Sequence, residues 1–86
     1  DKITKEKLQM VDQAEEYLFG LGFDQVRVRC HGNLARIEVT KDDRKRFFDT
    51  DVMDRIHSEL KKIGFHYVSL DLQGYRTGSM NTLNNA

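Results

Sequence analysis

The stretch from Gln25 to Thr40 restricts the fold more than any other part of the chain, because apolar and polar residues alternate on both sides of Gly32-Asn33. Period-two alternation marks half-buried strands, and Gly-Asn between two such runs marks a hairpin. With Gly32 and Asn33 as central turn residues, Val26 opposes Val39, Val28 opposes Ile37 and Cys30 opposes Ala35. That face is wholly apolar and must turn to the core. The other face pairs Arg27 with Glu38 and Arg29 with Arg36. Like charges directly opposite on a sheet destabilise it, by something of the order of the ~0.2–1 kcal/mol that cross-strand pairs contribute. Either the two arginines splay into water, or they hold an anion between them, for which arginine is the preferred planar donor.

Two helical patterns flank the hairpin. Thr4 is placed to cap the first, with Ile3 stapled to Leu8, and Leu8, Val11, Ala14, Leu18 and Leu21 recur at helical spacing. Glu15 lies on the margin of that stripe, where a carboxylate usually finds a Lys or Arg partner. Leu21-Gly22-Phe23 has the form of a Schellman ending, and the signal returns in Ile63-Gly64-Phe65 with Leu60 in the place of Leu18. The second helix runs from a cap among Asp49, Thr50 and Asp51 through Val52, Ile56, Leu60 and Ile63. Before it, Lys41 to Asp49 is expected to form a short turn that tucks Phe47 and Phe48 under that helix. After it, Tyr67 to Leu72 alternates as a third strand, with Val68, Leu70 and Leu72 on the apolar face and Tyr67, Ser69 and Asp71 joining the arginine face. The segment Gly74 to Asn81, with two glycines, Arg76, Thr77, Ser79 and an amide, could bring backbone N–H groups to an oxyanion.

The fold expected is therefore α+β, α-β-β-α-β, with a small mixed three-stranded sheet covered on one face by two helices. A right-handed crossover would return the chain to strand three, which we expect beside strand one. Residues 1–76 form the domain and 77–86 a flexible tail. A chain of 86 residues holds one modest core and no large catalytic cleft. Fourteen basic and fourteen acidic residues cancel, so no long-range field favours nucleic acid or an anionic membrane. One cysteine excludes an internal disulfide and fits a reducing compartment, and no apolar run is long enough for a membrane span, so a cytoplasmic location is expected. The chain opens at Asp1 and runs straight into a helix signal, which suggests a piece of a longer protein. No nucleophile and base pair up, Cys30 falls on the core face, and His31, His57 and His66 lack zinc-ligand spacing. No catalytic residue is assigned.

Several segments together resemble a known family. They are Thr4-x-Glu6-Lys7-Leu8, Ala14-Glu15, Leu21-Gly22-Phe23, Val26-Arg27-Val28-Arg29, His31-Gly32-Asn33-Leu34-Ala35-Arg36-Ile37-Glu38, Ile63-Gly64-Phe65-His66-Tyr67-Val68 and Asp71-Leu72-Gln73-Gly74-Tyr75-Arg76-Thr77-Gly78-Ser79-Met80-Asn81. In that order and spacing they resemble the C-terminal domain of the ATP-dependent sacrificial sulfur transferases of the PP-loop ATP pyrophosphatase superfamily, which act in synthesis of the nickel-pincer cofactor of lactate racemase. The resemblance implies a parent that uses ATP and Mg, adenylylates a carboxylate of a pyridinium mononucleotide and transfers sulfur from its own cysteine. It implies phosphate of a nucleotide or substrate held by Arg27 and Arg29; the residues themselves add Arg36, opposite Arg29, and Arg76 and Ser79 of the following loop to the expected phosphate-binding set. It places Glu15 and Glu38 at a subunit interface of a homo-oligomer where divalent metal binds, with Asp42 or Asp43 as a further candidate. The pyrophosphate-gripping loop and the donor cysteine of the family have no counterpart here, and Cys30 follows the arginine pair instead of preceding the first helix. The fragment alone should then have no cofactor and no enzyme activity, and should work with an N-terminal PP-loop domain. Two other readings stand beside this one. A tRNA-binding appendage of a PP-loop tRNA-modifying enzyme is disfavoured by zero net charge and the lack of exposed aromatic platforms, and a purely structural dimerisation module would leave the arginines without a ligand.

Overall fold

The computed structural model of the protein describes residues 4–75. The elements follow in the order α1 (Lys5–Gly20), β1 (Val26–His31), β2 (Leu34–Val39), α2 (Lys41–Arg44), a 3-10 turn (Lys45–Phe48), α3 (Thr50–Ile63) and β3 (Tyr67–Leu70). The fold is α+β with a small mixed three-stranded sheet, as the patterning requires.

Each boundary has a local cause. The Thr4 hydroxyl accepts from Lys7 N–H at 3.1 Å and starts α1, while the Asp49 carboxylate accepts from Asp51 N–H at 2.9 Å and starts α3. Both long helices close in the same way. Phe23 N–H reaches Leu18 C=O at 3.4 Å and Gly22 N–H reaches Phe19 C=O at 2.9 Å; Phe65 to Leu60 and Gly64 to Lys61 repeat the pair at 3.1 Å each. These are Schellman endings, and the glycines take φ +99° and +138°. Phe23 and Phe65 then turn inward and are fully buried.

The hairpin register is the one the alternation requires: Val26 to Val39, Val28 to Ile37 and Cys30 to Ala35 on one face, Arg27 to Glu38 and Arg29 to Arg36 on the other. The apolar face packs on Ala14 and Leu18 of α1 and on Ile56 and Leu60 of α3, with the three phenylalanines Phe23, Phe47 and Phe65 closing the core. A leucine buried like Leu18 or Leu60 contributes about 1.5–3 kcal/mol through burial alone.

Five expectations need correction, the first being Leu72 on the apolar face: β3 ends at Leu70 and Leu72 is exposed. β3 lies beside β2, in parallel, and not beside β1. On the outer edge of β1, Glu15 of α1 accepts a hydrogen bond from Val28 N–H at 2.9 Å and occupies one of that edge's free donors. Glu15 thus partners a backbone amide and not a cation. Leu8 is half exposed, and Met10 packs on the core instead. At about 100° per residue Leu8 stands roughly 120° round from Ala14, whereas Met10 stands roughly 40° away. The charged stretch after Thr40 is helical, capped by the Thr40 hydroxyl on Asp43 N–H at 3.3 Å. It buries Phe47 against Phe23, centroids 5.3 Å apart, but leaves Phe48 84% exposed. With three residues per turn, neighbouring side chains of a 3-10 segment diverge by about 120°, so the two rings cannot both face inward. The expected contact of Ile3 with Leu8 and the tail from 77 to 86 lie outside the described residues.

Where α1 meets α3, burial pushes the Tyr17 phenol above its ordinary pKa of 10.0; the Glu59 carboxylate adds to this and Arg55 opposes it. The folded state therefore holds this proton more tightly than the unfolded chain does. Its contribution is whole below pH 10 and is lost as pH rises through the folded value. Tyr17→Phe should flatten the fall in urea midpoint above pH 10 while changing the midpoint little at pH 7.

Candidate anion-binding face

The face of the sheet turned away from α1 and α3 carries three rows of side chains across the strands. Arg27 and Glu38 form one with Asp71 following in phase, Arg29, Arg36 and Ser69 form the next, and His31, Leu34 and Tyr67 form the third. Alternation places them there, since each sits one residue from a core position.

The like-charged pair does not await an outside anion. Glu38, its side chain only 5% exposed, bridges the two arginines: Oε1 lies 3.3 Å from Arg29 Nε and Oε2 lies 3.0 Å from Arg36 Nη2. Arg36 Nε also lies 3.4 Å from Asp71 Oδ2, close enough for charge attraction though not aligned as a hydrogen bond. The side chain that backbone register sets opposite Arg27 has therefore turned along its own face to separate Arg29 from Arg36. Arg27 has a different partner, its guanidinium 5.5 Å from the centre of the Tyr75 ring. A guanidinium carries five N–H donors, so Arg29 and Arg36 both keep donors beyond those facing Glu38. Three arginines against two carboxylates leave the face one positive charge in excess.

The loop after β3 holds one end of this face in place. Asp71 Oδ1 accepts from Gln73 N–H at 2.9 Å and Gly74 N–H at 3.1 Å, Asp71 N–H donates to Ile37 C=O at 2.8 Å, and Tyr75 N–H donates to Val39 C=O at 2.7 Å. The Arg44 guanidinium donates to the carbonyl of Leu72. Asp71, Tyr75 and Arg44 were not among the site residues read from the sequence. Asp71 three residues before Gly74 is an Asx-turn signal that could have marked the first of them; the Arg27–Tyr75 contact joins distant segments and has no local signature.

Of the other expected site residues, Arg76 and Ser79 lie outside the described residues. Glu15 sits at the outer edge of β1 and Glu38 on the open face, each with a partner. Asp42 and Asp43 lie in α2. Among the described residues no three His, Cys, Asp or Glu side chains are grouped so as to hold a metal ion. No described helix is long and apolar enough to cross a membrane.

No family model matches the chain. Two curated proteins are similar over nearly all of it. An uncharacterized protein of Synechocystis sp. is 44% identical over 81 residues, 94% of this chain and 30% of that protein. The pyridinium-3,5-bisthiocarboxylic acid mononucleotide synthase of Lactiplantibacillus plantarum is 45% identical over 80 residues, 92% of this chain and 28% of that protein. The chain thus spans less than a third of the length of either relative. Its motifs pointed to the sulfur transferases of nickel-pincer cofactor synthesis, and the similarity to this mononucleotide synthase is the relationship they imply.

Proposed function

We propose that the chain is the C-terminal domain of a PP-loop ATP pyrophosphatase-type sulfur transferase, and that its open sheet face holds the phosphate of a nucleotide or a pyridinium mononucleotide. The observation that supports this best is the Glu38 bridge. A nearly buried carboxylate fixes Arg29 and Arg36 before any ligand arrives, so little side-chain entropy is left to lose on binding. Their remaining donors suit a planar or tetrahedral oxyanion. Arg27, steadied over Tyr75, extends the same patch. The pyridinium ring in this reading comes from the name of the Lactiplantibacillus relative. ATP, its Mg and the sulfur donor belong in this reading to an N-terminal PP-loop domain, and this domain contributes substrate grip and oligomerisation. A metal-linked interface through Glu15 and Glu38 would need ligands from more than one copy.

Phosphate should raise the melting temperature of the chain more than sodium chloride at matched ionic strength. At about tenfold its Kd a ligand adds roughly 1.4 kcal/mol, which is several degrees for a domain of this size. Arg27→Ala with Arg29→Ala should abolish that difference while leaving the chain folded. An equal gain in the variant would contradict the assignment.

A further inference from the structure

We propose that the free edge of β3 pairs with the same edge of a second copy of this chain, antiparallel about a two-fold axis at Ser69, so that the two sheets join into one. This rests on the oligomerisation in the reading above, gives it a surface at the edge of the sheet opposite Glu15, and is independent of the phosphate.

β3 ends the strand order β1-β2-β3, and among the described residues no strand lies beyond it. Tyr67 N–H donates to Asn33 C=O and Asp71 N–H to Ile37 C=O, so the odd-numbered positions turn their backbone groups to β2. Those of Val68 and Leu70 therefore point outward along the edge. The four residues of β3 include no charge and no proline, which are common guards of an exposed edge. Beneath that edge lies an apolar groove of about 260 Å³, walled by Ile37, Phe47, Ile56, Val68, Leu70 and a Met53 that is 44% exposed.

The edge matches itself. Val68 and Leu70 flank Ser69, so a two-fold axis there sets each Val68 against the partner's Leu70 and lets the two exchange both backbone hydrogen bonds. An axis perpendicular to the sheet keeps the apolar sides of both copies together, and the two grooves open onto each other. Charge agrees with this. Asp54 and His57 line the groove, and Lys61 stands seven residues beyond Asp54, about two turns along α3 and only about 20° round it. β3 leaves the end of α3 through Gly64 and runs back beneath it, which sets His57 level with Ser69. The same axis then lays the two copies of α3 antiparallel, with Asp54 facing the partner's Lys61 and Lys61 facing the partner's Asp54. Among the described residues neither side chain has an ion-pair partner within its own chain.

Sedimentation of the 86-residue chain tests this. A four-residue edge with one helix row is at the small end of specific interfaces, so the mass should pass from one chain to two between about 1 μM and 1 mM. Lys61→Glu should weaken dimerisation about tenfold, because the two-fold axis turns two attractive pairs into two repulsive ones. Adding Asp54→Lys to that variant should restore it. Ser69 meets the partner's Ser69 as a non-hydrogen-bonded pair, with Cα atoms about 4.5 Å apart and within disulfide reach. Ser69→Cys should therefore form a covalent dimer on mild oxidation, while the parent chain, with Cys30 alone, does not. A single chain mass at every concentration overturns the proposal, and so does a dimer that ignores both Lys61→Glu and Ser69→Cys. A dimer that a chelator abolishes and Lys61→Glu spares belongs to Glu15 and Glu38, which overturns this surface and leaves the oligomerisation reading standing.

Discussion

Gly74→Ala should cost about 2–3 kcal/mol and release the loop of residues 71–75 from the end of β2. Gly74 is buried at φ +87°, and a Cβ there would collide with the carbonyl oxygen of Val39, a backbone atom in the sheet that cannot step aside. The positive φ alone costs an alanine roughly 1–2 kcal/mol. Relieving the collision breaks the bond from Tyr75 N–H to Val39 C=O and loosens that from Gly74 N–H to Asp71, each contributing about 1 kcal/mol. The loop can peel away as a unit, which caps the loss. Urea unfolding would report the cost, and loss of the Arg27–Tyr75 contact would appear as a changed Tyr75 ring environment. A change below about 0.5 kcal/mol would show that the loop is not seated as described.

Arg36→Leu should destabilise the domain by about 1–2 kcal/mol. The sequence argues the opposite sign, since removing one of two opposed arginines relieves a repulsion. The Glu38 bridge reverses it. Without Arg36, a carboxylate with 5% exposure keeps only Arg29, and Asp71 loses a cation at 3.4 Å. Breaking a fully buried pair costs about 3–5 kcal/mol, but the Arg36 side chain is 36% exposed, so solvent offsets much of that here. In a double-mutant cycle, Glu38→Gln should recover part of the loss. A variant as stable as the parent would show that the bridge contributes nothing.

The same comparison shows what could be read from the residues alone. Strand phase, hairpin register and both Schellman endings follow from local rules, and Gln25 to Thr40 and the two Gly-Phe signals carried them to the right residue. Strand order did not, because no local signal says which edge of the hairpin a strand arriving from a distant helix will join. The arginine face was legible as a set of side chains and illegible as a network. Register places Glu38 opposite Arg27, and only rotamers decide that it serves Arg29 and Arg36 instead. Phe47 and Phe48 differ only in the phase of a 3-10 turn that a run of charges did not announce.

The central claim, that this face binds a phosphate through preset arginines, is tested most directly by following backbone and arginine side-chain N–H shifts of the chain as inorganic phosphate is added at constant ionic strength. Shifts that saturate and concentrate at Arg27, Arg29, Arg36 and the neighbouring rows of β1 and β2 are the result expected. Shifts that do not saturate, or that gather on α1 and α3 on the other side of the sheet, would contradict it.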